Sequence, residues 1–280
     1  MASYIVRYGG MRLVGVFAPT GEQQYARGVD VIVRTERGLE AGQILCESTP
    51  QALEGLKEPG HGQILRAMTP DDAHELSRIR DHERDEYEVC LRSINTLGLE
   101  MRLVDVEHVF GGERIIVYYL ADGRIDFREL VKVLAGEFQT RIEMRQIGVR
   151  DEAKLMADYG DCGKAVCCNT HLVEIPPVSM KMAKLQKATL DPTKISGRCG
   201  RLKCCLRYEF EMYEKMQKDL PPLGSRLQTP DGPGRVVGHE ILAAQLLVET
   251  EDRHRRLVNL SDVAPLAAPR SNQSAGNAAS

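Results

Sequence analysis

The sequence has no tryptophan, and only five phenylalanines and nine tyrosines among its 280 residues. None of these aromatics follows Tyr213, so the C-terminal segment has no platform on which nucleic-acid bases could stack. Charge of one sign is also missing. With 37 Lys and Arg against 40 Asp and Glu, the formal charge is −3, which excludes a globally basic, histone-like nucleic-acid binder but leaves room for a local basic patch. No uncharged apolar run approaches the roughly eighteen residues a membrane span needs, and Met1 to Gly10 do not place a basic segment before an apolar one. There is no Walker A loop and no G-x-G-x-x-G fingerprint. These absences lead to the expectation of a soluble cytoplasmic protein. A content of 42% hydrophobic residues is enough for real cores, and the length favours about two folding units or three small ones.

Residues 1–67 read as a small β-rich module. Tyr4 to Val6, Leu13 to Phe17, Val29 to Val33 and Gln43 to Cys46 are apolar or alternating runs, with a hairpin turn at Glu36-Arg37-Gly38. Thr69-Pro70-Asp71-Asp72 then marks a helix start, and the apolar period of Leu76, Ile79, Tyr87, Cys90, Leu91 and Ile94 carries the helix to about Leu97. Strands follow at Met101 to Phe110 and at Ile115 to Leu120, joined by Gly111-Gly112, and the second is apolar enough to be buried on both faces. Asp126 and Glu129 read as a capping box before a helix with the stripe Phe127, Leu130, Val131 and Leu134, and Arg141 to Val149 reads as a further strand. Helical stretches are expected at Val178 to Lys187 and Leu206 to Lys218. Residues 221–265 read as turns and short strands of a small β-barrel-like module of KOW or SH3-like type. Residues 266–280 read as a disordered tail. The fold class is thus α+β, with a central α+β unit at 68–220 between the two β modules.

Six of the eight cysteines fall into two copies of one pattern, C-G-(K/R)-x-x-C-C, at Cys162, Cys167, Cys168 and, 37 residues on, at Cys199, Cys204, Cys205. The glycine lets the backbone turn tightly, and a basic neighbour favours the thiolate. Adjacent cysteines diverge by about 100° in a helix and point to opposite faces in a strand, so a Cys-Cys pair is ill suited to one mononuclear ion. A polynuclear cluster or two centres suits it better. Zinc, held by a Cys-x4-Cys pair from each copy, is the alternative. Between Val178 and Tyr208 stand Lys181, Lys184, Lys187, Lys194, Arg198, Arg201, Lys203 and Arg207 against the single acid Asp191, a field that suits an anionic cluster or an RNA backbone. Cys46 and Cys90 lie alone in apolar patterns and read as core. The histidines are scattered, and only His171 lies near a cysteine pair, so no catalytic residues are expected. Tyr208, Phe210 and Tyr213 could stack bases, but Leu206, Phe210 and Tyr213 keep a helical spacing that reads first as packing.

Gly148 to Lys154, Pro177 to Lys184, Pro192 to Gly197 and Cys199 to Leu206 resemble the PSP-one C-terminal domain family, and more closely its bacterial YaaT/RicT branch. The resemblance implies a regulatory subunit, not an enzyme. It would act in cell-fate control, in a complex with small helical partner proteins that carries four-iron four-sulfur clusters and modulates RNA processing by RNase Y. Cys162, Cys167, Cys168, Cys199, Cys204 and Cys205 would then be cluster ligands, with partner chains completing the set. The competing reading is a zinc-stapled RNA-binding protein.

Overall fold

A computed structural model describes residues 2–54, 56, 58–156, 159–172 and 175–265. The expected tail lies outside them. The chain divides into two compact units, Met1–Pro177 with Ser196–Cys204 and Val178–Ile195 with Cys205–Ser280.

The first unit opens with β1 (Tyr4–Tyr8), β2 (Leu13–Pro19), β3 (Asp30–Thr35), β4 (Gly38–Glu47), the single turn α1 (Pro50–Leu53) and β5 (Gly60–Ala67). All four expected strands form. With β5 they close a barrel in the order β1-β2-β5-β3-β4, in which only β2 and β5 run parallel. The alternating positions Tyr4, Val6 and Tyr8 meet Phe17, Val31, Val33, Ile44 and Ile64 inside it. Full burial of each large apolar side chain contributes about 1.5–3 kcal/mol. The sequence did not disclose β5 because Gly62 interrupts its run, yet that glycine permits closure. A Cβ there would sit 2.2 Å from the Arg34 carbonyl and 2.5 Å from the Phe17 ring. Cys46, expected in the core, is exposed: it pairs with Ile5 of β1 just beyond the point, between Ile5 and Val6, where the register of the two strands shifts and the alternation of β4 breaks.

The helix α2 (Pro70–Thr96) starts where expected, with Thr69 and Asp72 forming a reciprocal capping box and Arg66 pairing with Asp72. It buries Ile79, Cys90 and Ile94. Next come β6 (Arg102–His108), β7 (Arg114–Leu120), α3 (Arg128–Phe138) and β8 (Arg141–Gln146), giving a sheet ordered β6-β7-β8 with β7 and β8 parallel. Central β7 is buried on both faces. Ile115 and Val117 join Cys90, Ile94, Leu130 and Leu134, while Ile116 and Tyr118 join Met11, Val104 and Ile147. The expected capping box at Asp126 does not form. Asp126 instead accepts the Arg128 N–H and binds its guanidinium, and Glu129 pairs with Lys132. The strand expected to reach Val149 stops at Gln146, and α4 (Val149–Met156) begins, with the Asp151 carboxylate accepting the Gly148 N–H at 3.3 Å. A further short helix, α5 (Cys167–Thr170), follows.

The second unit contains α6 (Met180–Leu185), α7 (Pro192–Ile195) and all but the first residue of α8 (Cys204–Lys218). Then come β9 (Arg226–Thr229), β10 (Gly232–Glu240), β11 (Gln245–Thr250), β12 (Arg255–Asn259) and β13 (Ala264–Pro265). These pair as an antiparallel sheet, β12-β11-β10-β9-β13. The barrel-like form expected here corrects to a sheet with two edges: β13 has only two residues, one a proline, and returns to β9 without meeting β12. Closure belongs to the N-terminal module. Leu220, Leu227, Val236, Ile241, Leu246 and Val248 form the core of this unit, with Leu185, Tyr213 and Met216 packed on it. No described helix is long and apolar enough to cross a membrane.

Candidate functional site

The cysteine repeat in the sequence is also a repeat of structure. Tyr159 bridges Ala165 in antiparallel fashion, and 37 residues on Ser196 bridges Leu202. Gly160 N–H donates to the Lys164 carbonyl at 2.8 Å, as Gly197 does to Arg201 at 2.8 Å. Gly163 N–H donates to Gly160 at 3.0 Å, as Gly200 does to Gly197 at 2.9 Å. Gly163 and Gly200 have φ of 74° and 72°, and a Cβ at either would meet nothing within 4 Å. Glycine is required there by backbone conformation, not by space. Each turn ends in a helix whose first residues are the cysteine pair, Cys167-Cys168 in α5 and Cys204-Cys205 in α8. We term each copy a knuckle.

Two contacts staple the knuckles together. Arg198 Nε donates to the Tyr159 carbonyl at 3.1 Å, and Lys203 Nζ lies 3.7 Å from the Asp161 carboxylate. Arg12, in the β1–β2 loop, donates to the Asn169 carbonyl at 3.4 Å and so ties the first knuckle to the barrel. None of the six repeat cysteines, all of them described residues, forms a disulfide; Cys162 is exposed and the others are half-buried. Burial pushes the Cys168 thiol up, and the nearby Cys204 and Cys199 sulfurs push the same way, while Lys154 opposes them. Lys154 is itself held below its ordinary value by burial, with Arg12 adding to the effect.

Cys168, Cys199 and Cys204 thus share one electrostatic neighbourhood. Among the described residues, however, no group of three or more Cys, His, Asp or Glu side chains converges as a single metal ion requires. By donor chemistry alone, thiols of two adjoining knuckles beside the Lys154 ammonium are soft ligands of the kind that an iron–sulfur centre or zinc takes.

The eight basic residues divide between the units. Arg198, Arg201 and Lys203 belong to the first, and Lys181, Lys184, Lys187, Lys194 and Arg207 to the second. Acids outside the segment partner several of them: Lys203 has Asp161, Lys187 has Glu240 at 2.6 Å and Arg207 has Glu211 at 3.0 Å. The Lys181 ammonium lies 5.8 Å from the Phe210 ring centre, Tyr213 packs on the core of the second unit, and Tyr208 is 63% exposed.

Sequence reasoning missed Lys154 as a neighbour of the thiols, although it lies in the quoted run Gly148 to Lys154. It also missed a buried network between barrel and sheet. Arg37 binds Glu40 and, at 2.7 Å, Glu107, which also accepts from the Tyr118 hydroxyl and the Gly10 N–H. Burial works against the charge on Arg37, but the two carboxylates outweigh it and hold the guanidinium well above its ordinary pKa. Burial and Glu107 push the Tyr118 hydroxyl up.

A barrel, a β6–β8 sheet and twin cysteine knuckles define a multi-part α+β protein. The family described as the PSP1 C-terminal conserved region matches residues 62–147, from β5 through β8, and the PSP1-like protein, third domain, matches residues 177–220. The chain is 44% identical over 225 residues to the Stage 0 sporulation protein YaaT of Bacillus subtilis, a match covering 80% of this chain and 82% of that one. It is 26% identical over 140 residues to an uncharacterized protein of Schizosaccharomyces pombe, covering 41% of this chain and 19% of the relative. No solved structure matches. The chain belongs to the PSP1 family and is a YaaT-like member of it.

Proposed function

We propose that the chain is a non-catalytic regulatory subunit. Cys162, Cys167, Cys168, Cys199, Cys204 and Cys205 supply thiolates to an iron–sulfur cluster of the four-iron four-sulfur kind. With small helical partner proteins, the chain modulates RNase Y-dependent RNA processing in cell-fate programmes. The observation that carries this reading is the duplicated knuckle, which presents equivalent thiols from two stapled turns. Kinship with a protein named for sporulation supports the regulatory part. When bound, such a cluster supplies a redox-labile link between surfaces.

The chain's own residues prepare that link. Gly163 and Gly200 hold the turns, and Arg198 and Lys203 hold the knuckles together. Six thiols are fewer than two four-thiolate clusters need, so partner chains complete the set and assembly depends on the cluster.

The test is co-purification from cells before and after chelation, beside RNA processing in a deletion strain. Chelation should release the partners while the barrel stays folded, and deletion should alter RNase Y products. A complex that survives loss of its metal, or pure protein that itself cleaves RNA, overturns the reading. Stoichiometric zinc without iron would turn it to the zinc-stapled alternative.

A further inference from the structure

Beside the first hairpin of the barrel, β1, β4 and the early part of α2 border an open cleft of about 390 Å³. Small-molecule sites run from roughly 300 to 1,000 Å³. Arg7, Arg12 and Arg80 line the cleft together with one carboxylate, Asp30, and so leave it about two positive charges in excess. The hydrogen bonds of this cleft do not neutralise the arginines. Arg7 Nη2 donates to the neutral Gln43 Oε1 at 2.7 Å and Arg12 Nη1 to the neutral Asn169 carbonyl, while Asp30 accepts from Gln43 Nε2 at 3.2 Å. Arg7 is held below its ordinary pKa, first by burial and then by the charge of Arg12. The charge of an anion would offset both effects.

Arg12 has a further peculiarity. Its N–H donates to the Gly9 carbonyl at 3.0 Å to close the loop, and its φ is +48°, in the left-handed region that favours glycine. A long cationic side chain at such a position is the kind of local strain that accompanies ligand binding.

We propose that this cleft binds a phosphate monoester of nucleotide size, gripped by the guanidinium groups of Arg7, Arg12 and Arg80. A phosphate monoester carries about −1.5 to −2 near neutral pH, which matches the excess, and the guanidinium fork suits its oxygens. Because Arg12 also holds Asn169, which follows Cys168, occupancy would be felt at the first knuckle. The site stands independently of what the knuckles hold.

Calorimetric titration of the full chain tests this, using adenosine 5′-monophosphate, adenosine, and short RNA with and without a 5′-phosphate. The monophosphate should bind and adenosine should not. Arg7→Gln and Arg80→Gln should each weaken binding about tenfold, and Asp30→Asn should strengthen it. Arg12→Gly relieves the backbone strain but gives up the Asn169 contact, so its thermal midpoint is read beside its affinity, and lost affinity at an unchanged midpoint separates ligand loss from unfolding. Competition by 5′-phosphorylated RNA alone would identify an RNA end as the source of the phosphate; competition by neither RNA would leave the free nucleotide. Equal binding of adenosine and its monophosphate, no binding of either, or unchanged affinity in Arg7→Gln and Arg80→Gln overturns the proposal.

Discussion

The junction between barrel and sheet and the two cysteine turns as far as Cys204 lie in the same unit and handle charge in opposite ways. At the junction, Arg37, Glu40 and Glu107 keep only 10%, 3% and 11% of their side-chain surface, and each is bound to another member of the network or to the backbone beside it. At the knuckles the thiols are half-open, Cys168 is disfavoured as a thiolate by burial and neighbouring sulfurs, and Lys154 is disfavoured as a cation. The first arrangement is complete without any added group. The second gathers titratable groups whose burial and like neighbours make ionisation harder.

The largest expected effect breaks the closed side of this comparison. Arg37→Met leaves Glu40 and Glu107 buried without their cation, and thermal or denaturant unfolding should register a loss of roughly 3–5 kcal/mol. A loss below about 1 kcal/mol would mean that the network is solvated and that the two regions do not differ in kind.

A smaller effect sharpens the open side. Gly163→Ala and Gly200→Ala force alanine to a positive φ with no steric clash elsewhere, so each should cost about 1–2 kcal/mol of local stability, in equal measure. Hydrogen exchange at the Gly160 and Gly197 amides reads this directly. A cost at one glycine only would show that the knuckles are alike in outline but not in energetics.

The smallest effect concerns pH next to the junction. Burial pushes the Glu83 carboxyl from its ordinary 4.5 up to about 7, against the pull of the His108 N–H, and the hydrogen bond that the His108 ring donates to Glu86 raises that ring above its ordinary 6.5. Both groups therefore bind protons more readily in the folded state. The stability they contribute is fully present below about pH 4.5 for Glu83 and below about 6.5 for His108; that of Glu83 is lost as pH rises through about 7, and that of His108 as pH rises through its raised value. Glu83→Gln should flatten stability across the window from about 4.5 to 7, measured by unfolding at a series of pH values. An unchanged slope would place the proton elsewhere.

Much of this molecule was legible where local rules act alone. Thr69, Pro70 and Asp72 disclosed the start of α2, the unbroken apolar run of β7 disclosed its burial on both faces, and identical cysteine spacing disclosed a repeated turn. What stayed hidden depends on competition or distance. Arg128 takes the Asp126 carboxylate that a capping box would have used. Ile147-Gly148-Val149 continues a strand-like pattern into the start of α4. Gly62 interrupts β5 in sequence and completes the barrel in space. Arg37 sits in what reads as a bare hairpin turn, and its partner Glu107 lies 70 residues away, beyond any periodicity. The same holds for Lys154, whose place beside Cys168 is set by packing.

The central claim is that the two knuckles form one metal-holding site, and iron and acid-labile sulfide per chain test it most directly. Protein purified without oxygen is measured as wild type, Cys167→Ser, Cys204→Ser and, as a control on the exposed edge of β4, Cys46→Ser. The account expects iron and sulfide in the wild type and in Cys46→Ser, and their near-complete loss in either knuckle variant alone, since one site cannot be half disassembled. Wild-type protein without metal, or equal metal in all four proteins, would contradict it.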